Sequence, residues 1–189
     1  MRIALAQLNY IIGDFERNVS RIKDALQRAK KEKADLIVFS ELAVCGYPPR
    51  DFLEFSDFIS KCNKAIDEIA AECTGIAAIV GAPTVNPKPE GKNLFNSCYL
   101  LADGRVKDVT HKALLPNYDV FDEYRYFEPA IDWTVIDFRG KKIALTICED
   151  IWNLGDHSLY RTCPLDQLIG QQPELILNRS EEHTSELQS

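Results

Sequence analysis

The chain has 189 residues, 46% hydrophobic and 27% charged, the size and balance of a globular protein with one ordinary core. Its formal net charge of -7 argues against nucleic acid or an anionic membrane surface as a partner, because both select a basic face. The start, Met1-Arg2-Ile3-Ala4, runs straight into a strand pattern with no signal peptide, and no apolar stretch is long enough to span a bilayer; a cytoplasmic protein is expected.

Ile3 to Leu8 alternates apolar with small or polar residues and reads as a first strand. Gly13-Asp14 turns the chain, and Asp14 can cap a helix from about Glu16 to Lys31 whose buried stripe is Val19, Ile22, Leu26 and Ala29. Asp35 to Ser40 is a continuous apolar strand. A loop holding Gly46-Tyr47-Pro48-Pro49 leads to a second amphipathic helix, about Asp57 to Glu72, with Phe58, Cys62, Ile66 and Ile69 on one face. Ile76 to Val80 is a third strand, and Asn86 to Asn93, rich in Pro and Lys, is a surface loop. Two hairpins follow: Ser97 to Leu101 with Arg105 to Thr110 around Ala102-Asp103-Gly104, and Trp133 to Phe138 with Lys141 to Ile147 around Arg139-Gly140. A βαβαβ run followed by hairpins predicts a mixed sheet with helices on at least one face.

Pro173 to Asn178 reads as a last buried strand, after which apolar periodicity stops. Residues 179–189 are polar apart from Leu187, and they back-translate without strain to a common short-read sequencing adapter. The expectation is a domain over 1–178, a non-native tail over 179–189, and a natural protein that continues past Asn178.

Three residues stand where an apolar run gives way to a loop, the place where α/β proteins assemble sites. Glu41 follows Leu36-Ile37-Val38-Phe39-Ser40, His111-Lys112 follows the run from Val106 to Thr110, and Cys148 closes Ile143-Ala144-Leu145-Thr146-Ile147 with Glu149 and Asp150 directly after it. Taken singly, each has a plain structural reading: an exposed loop Glu, a surface Lys, a small core thiol. Together, a carboxylate and a cation can activate a thiol and hold an oxyanion. His111 reads as a packing or hydrogen-bonding residue. The cysteines, at 45, 62, 73, 98, 148 and 163, have no ligand spacing and read as reduced thiols, with no metal site expected.

The surroundings of these three residues form motifs in a fixed order. They are Ser40-Glu41-Leu42-x-x-x-Gly46-Tyr47, then His111-Lys112-x-x-Leu115-Pro116-x-Tyr118-x-Val120-Phe121-Asp122-Glu123-x-Arg125-Tyr126-Phe127, then Cys148-Glu149-Asp150-x-Trp152. Residues 1–178 thereby resemble the nitrilase, or carbon–nitrogen hydrolase, superfamily. Gly46 to Leu53 and Leu115 to Phe127 are similar to the glutaminase half of glutamine-dependent NAD synthetases. The resemblance implies an α/β fold, a nitrilase-like four-layer α-β-β-α sandwich, incomplete at the C-terminus. It implies Glu41 as general base, Cys148 as nucleophile and Lys112 as transition-state stabiliser, with the backbone N–H of Glu149 as a second oxyanion donor. Glu123 would be a further carboxylate near the lysine, and Tyr47, Tyr118 and Phe121 would line a glutamine pocket. Amide cleavage would need no cofactor and no metal; ATP and magnesium would belong to a synthetase domain following in the full-length protein. That domain, glutamine and further copies in a homo-oligomer are the implied partners. A stand-alone amidase acting on an ω-amide or a carbamoyl amine, and a non-catalytic scaffold of the same fold, are the alternatives.

Overall fold

The computed structural model describes residues 1–119, 121–153 and 160–181; Val120 of the second motif and residues 182–189 of the polar tail lie outside them. The first half alternates strand and helix: β1 (Ile3–Ala6), α1 (Phe15–Lys31), β2 (Leu36–Phe39), a short 3-10 turn over Arg50–Glu54, α2 (Ser56–Glu72) and β3 (Ala77–Val85). The Asp14 carboxylate accepts from the Arg17 N–H at 3.1 Å and so caps α1, satisfying a donor that has no partner inside the first turn. The spaced apolar residues of α1 and α2 named above are all buried.

β1, β2 and β3 run parallel, and β4 (Leu94–Ala102) and β5 (Arg105–His111) complete a five-stranded sheet antiparallel to their neighbours. Asp103 and Gly104 join β4 to β5 with φ of 52° and 74°, the paired left-handed conformation that matches the twist of a two-residue hairpin. β3 is longer than its apolar run suggests. β2 pairs with it only as far as Ile79, so Pro83 lies where no neighbour on that side needs its missing N–H, while its other side continues against β4. β1 stops at Ala6, opposite Phe39, where its only partner ends.

The chain then leaves this sheet through α3 (Glu123–Tyr126) and builds a second one from β6 (Ile136–Phe138), β7 (Lys141–Ile147) and β8 (Leu175–Arg179). A 3-10 turn over Cys148–Ile151 and helix α4 (Pro164–Gly170) lie between β7 and β8. The two hairpins belong to different sheets, a division that the mixed sheet read from periodicity did not specify and the expected sandwich requires. Periodicity reports which faces are buried, and says nothing of which strands share a ladder.

The layers follow from alternation along each strand. Leu36, Val38, Ala77 and Ile79 face Ile143, Leu145 and Ile147 between the sheets. Ile37, Phe39, Ala78 and Val80 face the opposite way, onto α1 and α2. On the far side of the second sheet Ala144 packs with Leu168 of α4, Ala113 and Trp133. The order is helices, sheet, sheet, helix: the α-β-β-α sandwich of the nitrilase-like folds.

Candidate active site

Glu41 stands two residues past β2, Lys112 directly after β5 and Cys148 directly after β7, so three strand ends meet at one end of the sandwich. Both turning points are conformationally demanding. Leu42, next to Glu41, has φ of 48°, and Cys148 has φ of 49°. Outside ordinary turns, Leu and Cys rarely hold that left-handed conformation, and strained positions of this kind cluster at functional sites. Gly81 in the middle of β3 lets the Glu41 segment come close. A Cβ there would sit 2.4 Å from the Leu42 nitrogen.

Lys112 is fully buried, and so, at 1% exposure, is Glu41. The Lys112 ammonium donates to Glu41 Oε1 at 2.8 Å and to Glu123 Oε1 at 2.9 Å. Asn96 Nδ2 donates to Glu41 Oε1 at 2.7 Å and to Glu123 Oε2 at 3.2 Å, and the Tyr47 hydroxyl donates to Glu123 Oε1 at 2.7 Å. Glu41 Oε2 is buried and has no partner. Burial alone would push the Lys112 ammonium down; the carboxylates of Glu41 and Glu123 outweigh it and hold it above the ordinary lysine range. Burial pushes the Glu123 carboxyl up against the pull of Lys112.

Cys148 is half-buried and lies within electrostatic reach of Glu41, Lys112 and Glu123. Burial first, and the Glu41 charge second, push its thiol up to about 12, with Lys112 acting the other way. Partial burial and the Glu41 charge both disfavour the thiolate, a setting suited to a base that takes the proton as the sulfur attacks.

The remaining expected residues fall around this cluster. Tyr47, Phe121 and Tyr118 form a row, with ring centroids 6.2 Å apart for the first pair and 5.7 Å for the second. The buried Glu149 carboxylate accepts from the hydroxyls of Tyr118 and Tyr160. His111 lies outside the cluster, stacked on Phe95 at 4.2 Å and hydrogen-bonded to Ser97 at 2.7 Å.

Comparison with known proteins bears on what this arrangement belongs to. The carbon–nitrogen hydrolase family profile matches residues 2–154, well over half of the chain. The chain belongs to the carbon–nitrogen hydrolase family. It is 40% identical over 185 residues to the glutamine-dependent NAD(+) synthetase of a Synechocystis species, a match covering 94% of this chain and 33% of that protein. It is 39% identical over 155 residues to the synthetase of the same name from Xanthomonas campestris, covering 80% of this chain and 27% of the other. It therefore spans about a third of the length of these curated relatives. Among solved structures, the glutamine-dependent NAD+ synthetase of Acinetobacter baumannii superposes with a TM-score of 0.84 at 32% identity, over 97% of this chain and 32% of that one. A Nesterenkonia amidase of the nitrilase superfamily superposes with a TM-score of 0.78 at 24% identity, over 99% and 67%, which speaks to the fold alone.

Three residues of this carbon–nitrogen hydrolase site were not singled out by sequence reasoning. Asn96 gives no linear signal, since it sits inside an apolar strand and touches both carboxylates only through the fold. Tyr160 lies beyond the last motif. Asp150 was legible only as a carboxylate after the thiol. Its Oδ1 accepts from the backbone N–H groups of Ala113 and Leu114 at 3.0 and 2.9 Å, and its Oδ2 from that of Ile147 at 3.0 Å, so it ties the Lys112 loop to the Cys148 turn. Among the described residues no group of three or more His, Cys, Asp or Glu side chains is placed to hold a metal ion, and no helix is long and apolar enough to cross a membrane.

Proposed function

We propose that this chain is the glutamine-hydrolysing part of a glutamine-dependent NAD synthetase. The observation that carries the chemistry is the division of labour on Glu41: both of its donors converge on Oε1, and buried Oε2 is left to take a proton. The names of the relatives support glutamine as the amide.

As the Cys148 sulfur attacks the side-chain amide carbon of glutamine, its proton passes to Glu41. An ammonium has three donors. Lys112 uses one on each carboxylate, and the third is left for the oxyanion. The backbone N–H of Glu149, in the first turn after Cys148, is the second donor; such preorganised donors are worth ~3 kcal/mol each. Glu41 returns the proton to the departing nitrogen, the C–N bond breaks, and ammonia leaves a thioester on Cys148. Glu41 then takes a proton from water, hydroxide adds to the thioester, and glutamate departs as the thiol reforms. Tyr47, Tyr118 and Phe121 flank the amide, and the Glu149 carboxylate offers a negative group for the substrate's α-ammonium.

The ammonia would serve a synthetase domain beyond this chain, amidating an adenylated nicotinic acid adenine dinucleotide. ATP and magnesium would be held there. Residues 179–189 remain, in this reading, foreign to the natural protein, and association of copies is part of it.

In the longer natural protein, Cys148→Ala should abolish glutamine-driven NAD formation and leave ammonia-driven formation within about two-fold, because the thiol serves amide cleavage alone. Equal loss with both nitrogen donors would overturn the reading. Ammonia release from other ω-amides but not from glutamine would point to the stand-alone amidase.

A further inference from the structure

We propose that Asn96 is a positioning residue: it bridges Glu41 and Glu123 and, with Lys112, holds Glu41 by Oε1 so that Oε2 is the oxygen left to take a proton. This rests on the hydrolase reading of Glu41 and Cys148 and deepens it.

Asn96 lies in β4 opposite Pro83 and is fully buried. Its backbone carbonyl accepts from the Lys112 N–H at 2.8 Å, so it also anchors the residue that carries the cation. Its amide nitrogen has two hydrogens, one directed at each carboxylate, at 2.7 and 3.2 Å. Its Oδ1 is buried and has no partner. An amide that leaves its own acceptor unmatched is oriented for its donors, and only the NH2 end can face two carboxylates.

The need for this is electrostatic. The charged and titratable groups around Asn96 are Glu41 after β2, Glu123 of α3 and Lys112 after β5. Tyr47 lies on Glu123, and Cys148 acts on Lys112 from the turn after β7. One ammonium faces two carboxylates in a site closed to water, and like charges there favour uptake of a proton. Hydrogen bonds from Asn96 to both carboxylates favour the charged forms. The geometric consequence is equally specific. Lys112 and Asn96 both meet Glu41 at Oε1, which pins the carboxylate plane and leaves Oε2 free.

The test is the pH profile of Cys148 in the native-length protein. Asn96→Leu removes both donors at nearly constant size, and Asn96→Ser retains one short donor. The rate of Cys148 alkylation by iodoacetamide would be followed between about pH 4 and 9 on the peptide that carries it, beside kcat and KM for glutamine. Asn96→Leu should move the acidic limb up by about one pH unit or more, with kcat down about 10–100-fold and KM nearly constant. Asn96→Ser should shift it less, in the same direction. A lower rate with the limb unmoved would mark Asn96 as merely structural and overturn the proposal, as would no change at all. If Asn96→Leu does not fold, Asn96→Ser decides by the same criterion. A shifted limb in a protein that leaves glutamine intact would uphold the positioning role while refuting the glutaminase reading.

Discussion

Asp150 shows how a single carboxylate can be held against its own preference. It accepts three backbone N–H groups, yet desolvation dominates and pushes its carboxyl up to about 6 from 3.8. A carboxyl whose folded value is raised contributes stability that is complete below about pH 3.8 and lost as pH climbs through about 6. Asp150→Asn removes this dependence. The stability advantage of the unsubstituted chain over Asp150→Asn should therefore shrink on the order of 2–3 kcal/mol between pH 4 and 7, as read by urea unfolding. A constant difference across that range would contradict the assigned environment. Arg179 poses the opposite case. It is buried, donates to the Ser40 carbonyl at 3.3 Å, and leaves Nε and Nη2 without partners. A buried guanidinium whose donors are only partly matched carries a desolvation cost, and apolar replacement of buried ionic groups is often stabilising by about 1–4 kcal/mol. Arg179→Leu should raise Tm by several degrees; a drop would show that the guanidinium is satisfied in solution.

At the scale of elements, the site depends on a strand passing close beneath a loop. Gly81 belongs to β3, where a side chain would ordinarily strengthen the sheet, but a Cβ would lie 2.4 Å from Leu42 N and 3.1 Å from Ser40 O. Both contacts are with backbone, which cannot swing away. Gly81→Ala should therefore cost about 1–3 kcal/mol and displace Glu41 together with Leu42, lowering the proposed release of ammonia from glutamine more than ten-fold at temperatures where the variant is still folded. Far-ultraviolet melting beside the ammonia assay separates the two effects. Activity that survives unchanged would show that the Glu41 segment can lift without losing its alignment.

At the scale of the whole molecule, the decisive feature is that, among the described residues, three strands of the second sheet cover five of the first. Leu5 pairs with Val38 in register and points the same way, between the sheets, yet it is 74% exposed because no strand among the described residues lies over it. Beside it, a cavity of about 660 Å³ opens between residues 5–9, 38–40 and 178–181. β1 and β8 are both edge strands, and Ile176 of β8 is exposed as well. Uncovered apolar edges template self-association. The 189-residue chain should form concentration-dependent assemblies by light scattering, and Leu5→Lys should reduce them. A monodisperse monomer at high concentration would show that this face is tolerated by water.

Local rules were enough for much of this protein. Asp14 caps a helix because its side chain reaches a donor three residues on, and Asp103-Gly104 closes a hairpin because both adopt the required φ. Short-range steric and hydrogen-bonding preferences of this kind do not wait for the rest of the fold. The order of the Glu41, Lys112 and Cys148 motifs likewise marked the residues that the three strand ends bring together. Other features arise only when distant segments meet: two sheets rather than one, the two donors of Asn96 between Glu41 and Glu123, and the hold of Asp150 on two loops. The state of Cys148 is the clearest instance. Whether that sulfur rests as thiol or thiolate depends on how much water and which charges surround it, and those are properties of the assembled interior.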